Sequence, residues 1–167
     1  ADSLGAQIFT TSLGYKSFDA GIGSYSKEDM DGNTALITQA GDIAASRGIL
    51  VVNSGGNSGN NGISAPADGD SILAVGAVNE CEEISAFSSR GPSADGRIKP
   101  DIVAMGELDY FIDPAGEIKV GNGTSFSCPL ISGMAACLMQ KHPELTAWEV
   151  HSKLIQSADR YENPNNQ

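Results

Sequence analysis

Apolar residues recur along this chain at two spacings, and the spacing changes where Gly, Asn, Ser and Pro gather. Short unbroken apolar runs at 49–53 and 72–78 predict strands covered on both faces, as in a parallel sheet. Residues 6–12 predict a further strand, and 101–105 a weaker one. Between them, residues 34–47 place Leu36, Ile37, Ala40, Ile43 and Ala44 on one face of an amphipathic helix that Gly48 closes. Residues 108–120, centred on Asp113-Pro114-Ala115-Gly116, predict a hairpin. Residues 125–141 predict a helix apolar nearly all round, which reads as buried in a core of some size. Thr146 with Glu149 three positions on is a capping box, so a last helix is expected to run to about Ala158. The Asn-rich residues 160–167, with Pro164, are expected to be frayed or disordered.

The candidate chemistry lies at the start of the helix at 125. Gly121-Asn122-Gly123-Thr124-Ser125-Phe126-Ser127-Cys128-Pro129 lets the backbone turn sharply and presents a serine at the helix mouth. Pro129, lacking an N–H, suits only the first turn. An oxyanion forming beside Ser125 would meet free N–H groups and the positive end of the helix dipole. Thr124 and Ser125 also read simply as an N-cap pair, because both residue types start helices.

Charge and cysteine usage narrow the function. The 167 residues carry a formal net charge of −11, which argues against nucleic-acid binding and for solubility. No apolar run reaches the ~18 residues of a membrane span, and Ala1 is not followed by the pattern of a targeting peptide. Cys81, Cys128 and Cys137 leave at least one thiol unpaired, so they are no disulfide framework. Cys128 reads as a small core residue in preference to a nucleophile. No Cys/His cluster supports a metal site. The two histidines, His142 and His151, both follow the serine. With 125–141 helical at about 1.5 Å per residue, His142 lies roughly 25 Å from Ser125, too far to act as its base. His142 reads as a helix C-terminal residue, and His151 as a partly exposed position in the last helix.

The serine segment, through Lys141-His142-Pro143-Glu144-Leu145-Thr146, resembles that of the subtilisin-like serine proteases, the subtilases. Ala6 to Gly14 resembles the strand that runs beside substrate in that family, and Gly48 to Gly59 the strand and loop with its oxyanion asparagine. Ala65-Pro66-Ala67, Ile72 to Val78, Phe87 to Pro92 and Lys99 to Ala104 follow in the family's order, so the resemblance covers almost the whole chain. Met105 stands where the family often has Pro, and Phe126 and Cys128 where Met and Ala are commoner. The sequon Asn122-Gly123-Thr124 falls inside the catalytic loop and reads as coincidence.

This resemblance implies a three-layer α/β sandwich with a mostly parallel sheet, incomplete because the family's N-terminal strands are absent. Residues 1–159 would be the C-terminal part of a catalytic domain. It implies Ser125 as nucleophile and Asn57 as oxyanion donor. Ser12, Leu13, Gly14, Ser54, Gly55 and Thr124 would line an extended peptide substrate paired main chain to main chain. The family's catalytic aspartate and histidine have no counterpart here, so the chain alone is expected to be inactive. No cofactor is evident, and calcium sites are not legible. A secreted or cell-envelope location follows from the resemblance alone. The bare strand edge at 6–12 is expected to make the isolated fragment self-associate. The alternative is a processed or degenerate fragment acting as a non-enzymatic binding module.

Overall fold

The computed structural model describes residues 2–19 and 22–162. Four strands, β1 (Ile8–Thr11), β2 (Leu50–Ser54), β3 (Ile72–Val78) and β4 (Ile102–Met105), form one parallel sheet whose order is the order of the chain. The register sets Ile8 beside Leu50, Val51 beside Ile72 and Val75 beside Ile102. The apolar runs are continuous because both faces are covered. On one face, Leu50, Val52, Leu73, Val75 and Ile102 pack against Cys128, Ile131 and Ala135 of α2 (Thr124–Lys141) and Val150 and Leu154 of α3 (Ala147–Gln156). On the other, Ile49, Val51 and Ile72, with Phe9, meet Ala44 and Ala45 of α1 (Leu36–Ser46). The result is the expected three layers, helix on sheet on helix.

A hairpin of β5 (Asp109–Ile112) and β6 (Ile118–Gly121) pairs antiparallel and leads into α2. The capping box at α3 is complete: Thr146 accepts from the Glu149 amide, and the Glu149 carboxylate accepts from the Thr146 amide. That helix ends at Gln156, two residues short of the expected Ala158. Gly48 takes φ 84°, open to a residue without a Cβ, and closes α1 as its position predicts. Residues 160–162 are described as turn, while 163–167 lie outside the described residues.

Three expectations need correction. Of the expected apolar stripe of α1 only Ala44 meets the sheet: Leu36 is 73% exposed and Ile43 61% exposed, with Ile37 and Ala40 also outward. The inward face is made of smaller groups, Thr38, Gly41, Ala44 and Ala45, because Ile72 fills the space beneath the helix; a Cβ on Gly41 would lie 2.4 Å from its Cδ1. Nor is α2 buried all round, since Leu130, Met134 and Cys137 lie on an uncovered side. His151, expected to be partly exposed, is only 6% exposed and stacks at 5.0 Å on Trp148. Its position on α3 puts it between Val150 and Leu154, on the side that meets the sheet.

Candidate functional site

Because the four strands are parallel, their C-terminal ends lie together at one end of the sheet, where α/β folds place their ligands. Ser12-Leu13-Gly14 leaves β1 there, and Gly55-Gly56-Asn57 leaves β2. The start of α2 is brought to the same place by the hairpin. Gly123 N donates to Gly106 O at 2.8 Å, and Asn122 Oδ1 accepts from Leu108 N at 2.7 Å, so the loop is tied to the residues after β4. Asn122, the first residue of the sequon, is thereby a brace within the loop. Phe126 packs against Phe111 with ring centroids 5.4 Å apart, seating the hairpin on the first turn of α2.

Ser125 is exposed at the N-terminus of α2, and its hydroxyl makes no hydrogen bond among the described residues. The N-cap is Gly123, which supplies no side chain. Asn57 does that work from across the site. Its Oδ1 accepts from the Thr124 amide at 2.9 Å and from the Thr124 hydroxyl at 3.0 Å. Since a backbone N–H can only donate, the amide oxygen must face Thr124, and the amide nitrogen is turned away. A Cβ on Gly123 would lie 3.4 Å from Asn57 Nδ2, 3.7 Å from Ser125 N and 3.8 Å from Phe126 Cδ2, so the two donors lie close together beside Gly123. Neither has an acceptor among the described residues. Two unpaired donors at the positive end of a helix are chemically suited to a developing negative oxygen.

Thr124 is only 1% exposed, and its hydroxyl also accepts from Gly56 N at 3.2 Å. It therefore braces Asn57, with its side chain turned into the body of the protein. Ser12, Leu13 and Gly14 are exposed, with the Ser12 hydroxyl 3.4 Å from Ser125 O. Ser54 and Gly55 are buried, and Gly55 N is taken up by Val75 O at 2.7 Å. Cys128 is buried, its thiol 3.4 Å from Thr11 O, and desolvation raises its pKa, the reverse of what a nucleophile needs. His142 caps the far end of α2, its Nδ1 3.1 Å from Glu144 Oε1.

One participant escaped the sequence reading. Asn53 lies wholly buried in β2; Thr11 Oγ1 donates to its Oδ1, and its Nδ2 donates to Leu13 O at 3.3 Å and to Ser54 O at 2.8 Å. A polar residue closing the apolar run Ile49–Val52 was the available signal.

Residues 2–167 match the Subtilase family, Peptidase_S8. The chain belongs to the subtilase family. Subtilisin DY of Bacillus licheniformis is 38% identical to it, over 76% of this chain and 45% of that protein. Serine protease AprX of Bacillus subtilis (strain 168) is 32% identical, over 77% of this chain and 35% of that protein. Among solved structures, Sphericase superposes with a TM-score of 0.72 at 26% identity, covering 93% of this chain and 50% of the other. The self-cleaved protease domain of PatA gives 0.73 at 25% identity, covering 96% and 57%. The subtilase chain thus spans less than half the length of the curated relatives it matches. Its family is one of serine proteases, and its mostly parallel α/β fold is theirs.

Proposed function

We propose that this chain is the nucleophile-bearing part of a serine endopeptidase, residues 1–159 forming the C-terminal portion of the catalytic domain. The observation that supports it is the closeness of Ser125 N and Asn57 Nδ2, 3.7 and 3.4 Å from one point beside Gly123, next to an exposed serine whose hydroxyl has no partner among the described residues. Ser125 Oγ attacks the scissile carbonyl and passes its proton to a histidine outside this chain. The carbonyl oxygen becomes an oxyanion held by Asn57 Nδ2 and Ser125 N–H. Collapse expels the amine and leaves an acyl-enzyme, which water hydrolyses. The Ser12–Gly14 segment holds the substrate main chain in extended form.

His142 sits at the far end of α2 and His151 within α3, so the chain by itself lacks a base and is inactive. A catalytic histidine and aspartate are supplied by the rest of the protein, which acts on peptide or protein substrates in a secreted or cell-envelope setting. No nucleic acid is involved. The isolated chain self-associates through the free edge of β1. A fluorophosphonate probe tests the assignment. A longer protein carrying the missing base should be labelled at Ser125 and not in its Ser125→Ala variant, whereas the 167-residue chain alone should remain unlabelled. Label on another residue of the active protein would overturn the role of Ser125.

A further inference from the structure

The last pair in the β1–β2 ladder is Thr11 beside Asn53. Beyond it, β1 has no strand to follow, yet the segment Ser12-Leu13-Gly14 must keep an extended shape if a peptide is to lie along it. The next fixed point of that segment is Tyr15, whose amide donates to Ala65 O at 2.8 Å. Among the described residues, the one main-chain group between Thr11 and Tyr15 with a hydrogen-bond partner is Leu13 O, and the group that holds it is the buried amide of Asn53. The amide itself cannot swing. Its oxygen receives the Thr11 hydroxyl, and its second N–H is spent on Ser54 O.

Peptide groups in an extended segment point alternately to opposite sides. In an extended Ser12–Gly14 segment with Leu13 O drawn inward, the N–H and C=O of Ser12 and Gly14 would face the other way. Among the described residues, neither Ser12 nor Gly14 has a main-chain hydrogen-bond partner. A wholly buried asparagine inside an apolar strand costs desolvation that an aliphatic residue would avoid, and here its three hydrogen bonds all serve the end of that ladder.

We propose that Asn53 is a positioning residue for substrate. By holding Leu13 O it sets the phase of the Ser12–Gly14 segment, so that its outward main-chain groups pair with an extended peptide. Asn53 touches no reacting atom and acts through Leu13. The inference rests on the reading of residues 12–14 as the substrate strand.

The test measures main-chain pairing directly in the 167-residue chain. A fluorescein-labelled Ala-Val-Ala-Ala-Leu peptide, and the same peptide N-methylated at alternate amides, are titrated by fluorescence anisotropy. Methylation removes the donors that pair with Ser12 and Gly14, so wild type should bind the methylated peptide about tenfold more weakly. In Asn53→Ala that ratio should fall to about two, because the segment no longer presents its groups in phase. Thr11→Val, which removes only the hydroxyl orienting the amide, should give an intermediate ratio and serves where Asn53→Ala does not fold. An unchanged ratio in a folded variant, with both peptides weakened equally, would mean that Asn53 is merely structural and would overturn the inference. Wild type that binds neither peptide, or both alike, would overturn the reading of residues 12–14 as well.

Discussion

Asn57 and Thr124 are locked together by two hydrogen bonds to a single oxygen, 2.9 Å from the Thr124 amide and 3.0 Å from its hydroxyl. A residue of the β2 loop thus caps the helix that carries Ser125, and in doing so commits its own nitrogen to the space beside the serine.

This linkage predicts a graded series. In a protein that supplies the base, Asn57→Ala should lower kcat by about 3 kcal/mol of barrier, the size expected for losing one oxyanion donor. KM should change little, because the bond strengthens only as charge develops. Thr124→Val keeps the amide contact and loses the hydroxyl, so it should cost about 1 kcal/mol in the same quantity. Steady-state kinetics on one peptide substrate separates the outcomes. A rise in KM with unchanged kcat in either variant would make these residues ground-state binders.

Burial holds the pKa of His151 below its ordinary value; Lys99 pushes the same way and Asp101 opposes. The folded protein therefore keeps the ring neutral, and its Nε2 has no partner among the described residues. The unfolded chain takes up the proton near pH 6.5. Stability linked to this group is complete above about pH 6.5 and falls as the pH drops below it. Denaturant melts from pH 8 to pH 5 should show wild type losing more stability than His151→Gln. Parallel curves would show that the ring is not protonated on unfolding.

Lys99 is 2% exposed and donates to Gly69 O, Ile72 O and Asp101 Oδ2 at 2.8, 3.0 and 2.8 Å, while Asp101 also receives the Ala74 amide. Removing one partner leaves a charge in a poorly hydrated place. Lys99→Met should cost about 3–5 kcal/mol, and Lys99→Met with Asp101→Asn clearly less than that. Denaturant midpoints of the two variants decide between a coupled pair and two independent contacts.

The outward stripe of α1 and the free edge of β1 predict concentration-dependent association. Light scattering on the 17.3 kDa chain should show its apparent mass rising with concentration, and less so in Leu36→Lys/Ile43→Lys. An edge probe at Phe9 is unsuitable, because that ring packs on Ile49, Val51 and Ile72. A wild-type chain that stays monomeric throughout would remove both surfaces from consideration.

What could be read in advance was local. The runs at 49–53 and 72–78 announce buried strands because only a doubly covered sheet tolerates unbroken apolar sequence, and Thr146 with Glu149 forms its cap within four residues. The orientation of α1 was not legible, since a stripe such as Leu36, Ile37 and Ile43 says that a helix has an apolar face and not which layer covers it. The small size of Gly41, Ala44 and Ala45 was the clue, and it has meaning only once Ile72 is beneath them. That Asn57 and the serine loop would stand together was expected from motif resemblance, and the bonds from Thr124 to Asn57 join them. Asn53 was not, because its value lies in a carbonyl 40 residues away that no spacing rule connects to it.

The strands of the main sheet lie side by side in the order in which they occur in the chain, with none from elsewhere inserted between them. Such a sheet has a natural seam along β1: a partner can be zipped on or peeled away there without unthreading any connection. The serine loop at the head of α2 therefore stands on a sheet that can be extended at β1 without rethreading any of its own connections.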